Sequence, residues 1–449
     1  MLVGILRPQE QRHISDAMEE LARLTETAGA HVKGSITQRV RRVDPSTFVG
    51  SGKVAQIRTR GNSLGAEVII FDADLSPAQI RNLEEKIELK VIDRSELILD
   101  IFATHARSRQ AKIQVELAQL EYTLPRLTRM WTHLSRIEGG VAPGGGIGTR
   151  GPGEKQLETD RRVVRRRLRD LRDELDQIEE RRRTEVSSRS EEFTVSLVGY
   201  TNAGKSTLMN ALTGADALVE DKLFSTLDTK TRIWHLDGHL KALLSDTVGF
   251  IRNLPHHLIA SFHATLEEAS QADLLLHVVD VSHVECQQQI ASVIHVLEEI
   301  GCSQKPLLMI LNKVDALRDR GILDYLRAEY PNHAVTSATQ GIGLSAIRNR
   351  VAEFIEASRV EVELICSAAD GRLRAFVSSK GELIEEHYDE RGGTLRALLP
   401  ARYLEKVRLL CQSLRVLRAP KIEVPAPPAP PSSPEERPGS MNDHMTNDE

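Results

Sequence analysis

No apolar run in the 449-residue sequence approaches the roughly 18 residues needed to span a bilayer, so membrane association is expected to be peripheral at most. Met1 to Pro8 lacks a basic stretch followed by a long apolar one, and no signal peptide is read there. Cysteine is scarce. Cys286, Cys302, Cys366 and Cys411 lie far apart without CxxC spacing, which implies neither a zinc site nor a disulfide framework and fits a reducing cytoplasm. Excess basic charge is also missing: the chain totals -5 at pH 7, which by itself points to no nucleic-acid partner, and no DNA partner is expected. What is present is 40% hydrophobic residues, enough for real cores, over a length of two to four domains.

The chain is organised around Gly199-Tyr200-Thr201-Asn202-Ala203-Gly204-Lys205-Ser206-Thr207, which follows the apolar run Phe193 to Val198 and leads into a helical pattern. The segment reads as a P-loop. Its glycines let successive backbone N–H groups turn inward onto phosphate oxygens, Lys205 adds positive charge, and the Ser206 hydroxyl can ligate Mg²⁺.

Three later stretches extend this reading. Asp246-Thr247-Val248-Gly249 follows the apolar Leu240 to Leu244 as a DxxG motif, in which Asp246 belongs to the magnesium shell and the Gly249 N–H senses a γ-phosphate. Asn312-Lys313-Val314-Asp315 follows Leu307 to Leu311. Asp315 can accept from both N1 and N2 of guanine while Lys313 lies along the base, an arrangement that rejects adenine because the wrong edge leaves a buried carboxylate unpaired. Ser337-Ala338, with Thr339 next, suits a turn whose backbone N–H meets guanine O6. Each alone is equally a surface turn. Their order, each at the carboxyl end of a predicted strand of an α/β sheet, argues for GTP and GDP as ligands.

Residues 1 to about 104 alternate short β-like and helical patterns, implying a small parallel-sheet domain. Strands are expected at Val3 to Leu6, Ala66 to Phe71 and Lys90 to Ile92. One helix is expected from a Ser15 cap to about Ala28, and a second begins at Ser76-Pro77-Ala78-Gln79, a capping box with Pro at the first helical position. Gly50-Ser51-Gly52-Lys53 looks like a second phosphate loop, but its spacing is wrong and it reads as a turn and helix start.

From about 105 to 190 the pattern changes. Ile113, Leu117, Leu120, Leu124, Leu127, Trp131 and Leu134 recur at intervals of four and three, and Leu157, Val164, Leu168, Leu171, Leu175 and Ile178 keep the rhythm. Two helices of roughly 30 residues, about 45 Å each, are expected to pair antiparallel as an arm, the first bent at Pro125. Gly139 to Gly153 between them holds 8 glycines in 15 residues. It is either a flexible turn or a probe ordered by a partner. Arg126 to Arg169 carries 11 basic residues against 4 acidic ones, a balance suited to the phosphates of RNA.

Arg150-Gly151-Pro152-Gly153-Glu154, then Gln156-Leu157-Glu158-Thr159-Asp160-Arg161-Arg162, with Phe48 to Lys53 and Asp93-Arg94 to Asp100-Ile101-Phe102 upstream, resembles the HflX family of ribosome-associated GTPases over about residues 1 to 365. The resemblance implies a cytoplasmic GTPase that binds the large ribosomal subunit, places the arm near the rRNA of the peptidyl-transferase centre, and with GTP helps split stalled or idle ribosomes. By position, Thr226 in Phe224-Ser225-Thr226-Leu227-Asp228 matches the switch I threonine that meets Mg²⁺ and the γ-phosphate. Ser206, Thr226 and Asp246 then form the metal set, and Lys205, Thr226 and Gly249 the catalytic one. The family often continues with Pro-Thr where this chain has Thr229-Lys230-Thr231-Arg232, so switch I ordering is expected to differ in detail. Phe250 stands where many GTPases carry a water-positioning Gln, and slow intrinsic hydrolysis follows. Asn202 matches a P-loop Asn that in some related GTPases helps hold K⁺, or else it braces switch I.

Downstream, a helix from Gly341 to Ser358 is expected to close the sheet. Residues 360 to about 418 give a smaller α/β pattern, with strands at Glu382 to Tyr388 and Thr394 to Leu399 and a helix at Ala401 to Leu417. Lys421 to Glu449 reads as a disordered, Pro-rich tail. The expected architecture is therefore α/β throughout: a small α/β unit with an antiparallel coiled-coil arm (1–104 and 105–190), a doubly wound P-loop G domain (191–358), and a small C-terminal unit (359–418), in a monomer. Two other functions fit the same residues, a GTP-regulated coiled-coil scaffold for a protein partner and a nucleotide-dependent RNA remodeller.

Overall fold

The computed structural model describes residues 1–6, 14–40, 42–127, 152–189, 192–214, 224, 230–236, 240–252, 268–367, 371–389 and 392–419. They form three sheets and a helical arm.

The first sheet is built from β1 (Leu2–Leu6), β2 (Ser35–Arg39), β3 (Val68–Phe71) and β4 (Lys90–Ile92), interleaved with α1 (Ile14–Thr27), α2 (Ser51–Ser63) and α3 (Pro77–Ile87) and followed by α4 (Arg94–His105). Its order is β2-β1-β3-β4, all parallel. Strand alternation sends Val3, Ile5, Ile69, Phe71 and Val91 to a core with Ile57, Ile80, Leu83 and Ile87, while Leu2, Ile70 and Ile92 turn to Leu21, Leu24, Ile98 and Phe102 on the opposite face. The Ser76 capping box forms as expected, Ser76 Oγ accepting from Gln79 N and Gln79 Oε1 from Ser76 N. Ser15 is no cap, because α1 already includes Ile14. Gly50 precedes α2 and the Lys53 ammonium donates to Thr37 O at 3.2 Å, so this segment is the expected turn and helix start.

The arm pairs α5 (Arg109–Thr123) with α6 (Pro152–Arg189). Ile113, Leu117, Leu120 and Leu124 meet Val164, Leu168, Leu171, Leu175 and Ile178 along the expected seam. Antiparallel ion pairs Arg109–Glu174 and Arg167–Glu116 flank it. The first helix is interrupted at Pro125 as expected: 15 α-helical residues pass into a 3₁₀ turn at Leu124–Arg126, because Pro125 has no N–H to continue the ladder, and residues 128–151, Trp131 and Leu134 among them, lie outside the described residues. The second is longer than expected at 38 residues and takes in Pro152 and Gly153 from the glycine-rich stretch.

The central sheet contains β5 (Phe193–Gly199), β6 (Lys230–His235), β7 (Lys241–Asp246), β8 (Leu274–Asp280), β9 (Leu307–Asn312) and β10 (His333–Val335), with α7 (Lys205–Thr213), α8 (Cys286–Glu299), α9 (Arg320–Glu329) and α10 (Leu344–Ala357). Its order is β10-β9-β8-β5-β7-β6, parallel except for the antiparallel edge β6. All the sequence motifs but one fall at the carboxyl ends of its parallel strands.

The last sheet has β11 (Arg359–Cys366), β12 (Glu382–Asp389), β13 (Gly392–Pro400) and β14 (Ser413–Arg418), crossed by α11 (Gly371–Lys380) and α12 (Leu404–Leu410). The order β12-β13-β11-β14 is antiparallel, a split βαβ arrangement. The expected helix from Ala401 to Leu417 is thereby corrected: it stops at Leu410, and Ser413–Arg418 pairs with β11 instead. Lys421 to Glu449 lie outside the described residues. Among the described residues no helix is long and apolar enough to cross a membrane.

Candidate nucleotide-binding site

Between β5 and α7 the backbone folds into a cradle. Gly199 (φ 149°), Asn202 (φ 60°) and Gly204 (φ 95°) all take positive φ. Space also demands glycine here, since a Cβ on Gly204 would sit 2.5 Å from the Asn312 Nδ2. Lys205 is buried, its ammonium donating to Gly199 O at 3.0 Å and Tyr200 O at 2.9 Å. Burial pulls its pKa down to about 8, with Asp246 opposing the shift.

The Ser206 hydroxyl donates to Asp246 Oδ2 at 2.6 Å, bringing two of the predicted metal ligands together across the loop. Hydroxyl and carboxylate oxygens are the donors that a hard cation such as Mg²⁺ takes, so the pair fits it. Thr226, the third, lies outside the described residues together with Ser225, Leu227 and Asp228. Thr247 is buried, its hydroxyl tied to Leu197 O at 2.6 Å. Gly249 packs on the P-loop so closely that a Cβ would stand 2.9 Å from Thr201 Cα and 3.1 Å from Lys205 Nζ.

Asn312 is the keystone of the base side. Its Nδ2 donates to Ala203 O at 2.8 Å and its Oδ1 accepts from Ala338 N at 3.1 Å, joining three motifs. Of the backbone N–H groups in the turn expected to face guanine O6, that of Ala338 is thus engaged within the protein. Lys313 takes φ 64° and its ammonium lies 2.7 Å from Asp280. Val314 and Asp315 begin the 3₁₀ turn that follows, with Asp315 exposed. Ser337 Oγ and Thr339 Oγ1 are 3.2 Å apart and shape the last turn.

The site is continuous with the first sheet. Thr201 N donates to Phe250 O at 2.7 Å and Phe250 N to Gly199 O at 3.1 Å, zipping the segment after Gly249 onto the P-loop. Phe250, 3% exposed, turns into a core shared with Val198, Tyr200, Phe224, Val248 and Ile251 on one side and Leu21, Leu24, Phe102 and Tyr122 on the other. Phe102 and Phe224 meet edge to face, centroids 4.7 Å apart at 75°. Polar groups cross the same boundary. Buried Arg94 pairs with Glu20 and, at 2.5 Å, with Asp72, and donates to Arg252 O at 3.3 Å. Tyr200 from the P-loop donates to Glu20 at 3.1 Å and accepts from Arg252 N at 3.0 Å. Arg252 then reaches Glu285 at 2.8 Å on the way into α8. None of Glu20, Asp72, Arg252 and Glu285 was singled out from the sequence. Arg252, two residues past Phe250, offered only its proximity to DxxG as a signal.

Three family models match consecutive stretches of the chain. They are described as GTP-binding GTPase N-terminal (residues 15–103), GTP-binding GTPase Middle Region (105–189) and 50S ribosome-binding GTPase (194–313). A GTPase HflX of Lacrimispora saccharolytica is 43% identical over 395 residues, covering 87% of this chain and 91% of its own. The chain belongs to the HflX family of GTPases. The GTPase HflX of Escherichia coli K12 is likewise 43% identical, over 387 residues, with 85% and 89% covered. Among solved structures, a GTP-binding protein of Sulfolobus solfataricus in complex with GDP superposes at TM-score 0.42 and 26% identity, over 79% of this chain and 98% of that one. As an HflX GTPase the chain hydrolyses GTP. Its Phe250 belongs to the contact with the first sheet, and an apolar ring held there cannot orient a water.

Arg126 also leaves the role its sequence position gave it. It stacks over Tyr122 at 3.4 Å, donates to Leu75 O at 3.0 Å and pairs with buried Asp93 at 3.3 Å. Arg126 therefore fixes the root of the arm and is withdrawn from the basic set counted for RNA. Arg167 and Arg172 are exposed but paired, with Glu116 and Glu121. Arg162, Arg165 and Arg169 remain along one side of α6, lining with Arg172 a shallow groove floored by Leu124 and Leu168.

Proposed function

We propose that this HflX-family protein is a ribosome-associated switch in which GTP and Mg²⁺ set how firmly the arm grips large-subunit rRNA near the peptidyl-transferase centre, so that the GTP state splits or rescues stalled or idle ribosomes in the cytoplasm. One observation carries the reading: adjacent residues Asp93 and Arg94 face the arm and the nucleotide site respectively. Asp93 accepts from Tyr122 at 2.9 Å and pairs with Arg126 at the arm's root, while Arg94 holds Arg252 O just past DxxG. A shift of the segment after Gly249 therefore has a short, stiff path to the arm.

In this reading the P-loop amides and Lys205 hold the phosphates, Asp315 reads the guanine edge, and Ser206, Asp246 and Thr226 would hold Mg²⁺, which would supply positive charge to the phosphate oxygens. Gly249 offers its N–H to the γ-phosphate, and water attacks the γ-phosphorus in line as its bond to the bridging oxygen of the departing GDP breaks, giving phosphate. Because Phe250 cannot orient that water, hydrolysis waits for help from ribosomal RNA or protein. Asn202 either helps hold a K⁺ near the phosphates or braces switch I, and equal turnover in K⁺ and Na⁺ would exclude the first. Coupling requires different ribosome affinities in the two nucleotide states. Large-subunit pelleting is expected to be tighter with a non-hydrolysable GTP analogue than with GDP, and sucrose gradients of 70S particles with protein and GTP are expected to show conversion to 50S and 30S. Equal pelleting in both states defeats the proposal.

A further inference from the structure

We propose that Asp280 is a positioning residue for the base of the bound nucleotide, acting by clamping the Lys313 side chain in the posture that covers a purine ring. The proposal rests on the reading of Asn312 to Asp315 as the guanine-binding segment. Asp280 ends β8 and stands in register with Asn312 at the end of β9. The two strand ends are closed by Val281 N donating to Asn312 O at 3.1 Å, so Asp280 and Lys313 rise side by side from neighbouring strands.

Each end of the clamp is fixed. Asp280 Oδ1 accepts from Ser282 N at 3.0 Å and Ser282 Oγ at 2.5 Å, which stops the carboxylate from swinging. Its other oxygen takes the Lys313 ammonium at 2.7 Å. At the far end the Lys313 backbone is held at φ 64°. Neither side chain is fully solvated, with exposures of 14% for Asp280 and 30% for Lys313, so the pair is less screened than a surface ion pair. A four-carbon stem stretched between these anchors offers a flat run of methylenes, and the charge at its tip is already answered. Apolar contact with the face of a base follows, while discrimination between bases stays with Asp315 on the edge.

The test is release of fluorescent GDP from the full-length protein in a double-mutant cycle. Lys313→Ala is expected to speed release about tenfold, since a lysine free to sample rotamers or shortened to a methyl loses the contact. Asp280→Ala is expected to do nearly the same, and Asp280→Asn, which keeps the shape and the bond from Ser282, about threefold. The double variant Asp280→Ala/Lys313→Ala is expected to release GDP no faster than Lys313→Ala alone, a saturation that general loosening of the fold would not produce. IDP, which lacks the exocyclic amine, should show the same ratios because the contact is with the ring face. Wild-type release from both Asp280 variants, or effects that multiply in the double variant, overturns the clamp. Wild-type release from Lys313→Ala overturns the reading beneath it as well. Should Asp280→Ala not fold, Asp280→Asn alone decides.

Discussion

The central sheet has a neighbour on each side, and it joins them in different ways. Toward the first sheet the boundary is a continuous apolar core with a buried polar network through it, in which Arg94 is 4% exposed and Asp72 3%. Toward the last sheet the described polar contact centres on Arg402, which donates to Glu192 O, lies 3.5 Å from Asp273 and passes 5.9 Å over the Phe193 ring. Glu192, Phe193 and Asp273 all lie at the amino ends of β5 and β8, far from the phosphate cradle. The contrast teaches where a nucleotide signal can go: the first sheet touches the P-loop, Phe224 and the segment after Gly249, whereas among the described residues the last sheet's polar contacts to the central one lie at the opposite strand ends.

The largest effect is expected from Arg94→Ala, which removes the buried guanidinium that Glu20 and Asp72 share and should cost about 4 kcal/mol in urea unfolding. Arg402→Ala, at a half-exposed pair, should cost less than about 1 kcal/mol, and equal losses at the two sites would erase the contrast. Phe102→Ala comes next, at about 3 kcal/mol from the cavity left against Phe224, read in the same unfolding curves. Tyr200→Phe keeps the ring and removes one hydroxyl bonded to both Glu20 and Arg252, for about 1 kcal/mol. The last effect leaves the fold untouched and concerns protons. Burial holds the Lys205 pKa at about 8, and a bound polyphosphate favours the charged form and raises it, so binding takes up a proton where the free lysine is neutral. GDP affinity should therefore be flat below about pH 8 and fall by up to about tenfold per unit above it. Calorimetry in two buffers of different ionisation enthalpy measures the proton uptake, and its absence would place Lys205 outside the phosphate site.

What could be read beforehand follows the same division. Phosphate and guanine chemistry restrict residues locally, so Gly199 to Thr207, Asp246 to Gly249 and Asn312 to Asp315 were visible as short strings with fixed spacing. The boundary network was not, because Glu20, Asp72 and Arg252 carry no signature, and the motifs that contain Arg94 and Tyr200 do not show that these distant residues meet. Arg126 shows the complementary error: charge counted along the chain cannot tell an arginine facing solvent from one held by Asp93. Strand β2 escaped notice because Ser35-Ile36-Thr37-Gln38-Arg39 has a single apolar residue and none of its five is buried. Ser413 to Leu417 was assigned to a helix because Leu414, Val416 and Leu417 satisfy either period, and only pairing with β11 decides between them.

The outward face of the last sheet has its own consequence. Along its two central strands that face presents Glu361, Glu363 and Ile365 beside Thr394, Arg396 and Leu398, with Arg396 bonded to Glu361 at 2.6 Å. Four-stranded sheets that read single-stranded RNA do so by laying bases on aromatic rings at those central positions. Here a carboxylate and guanidinium ladder takes the rings' place, so along these two central strands a base could stack only on the Arg396 guanidinium, which Glu361 already holds.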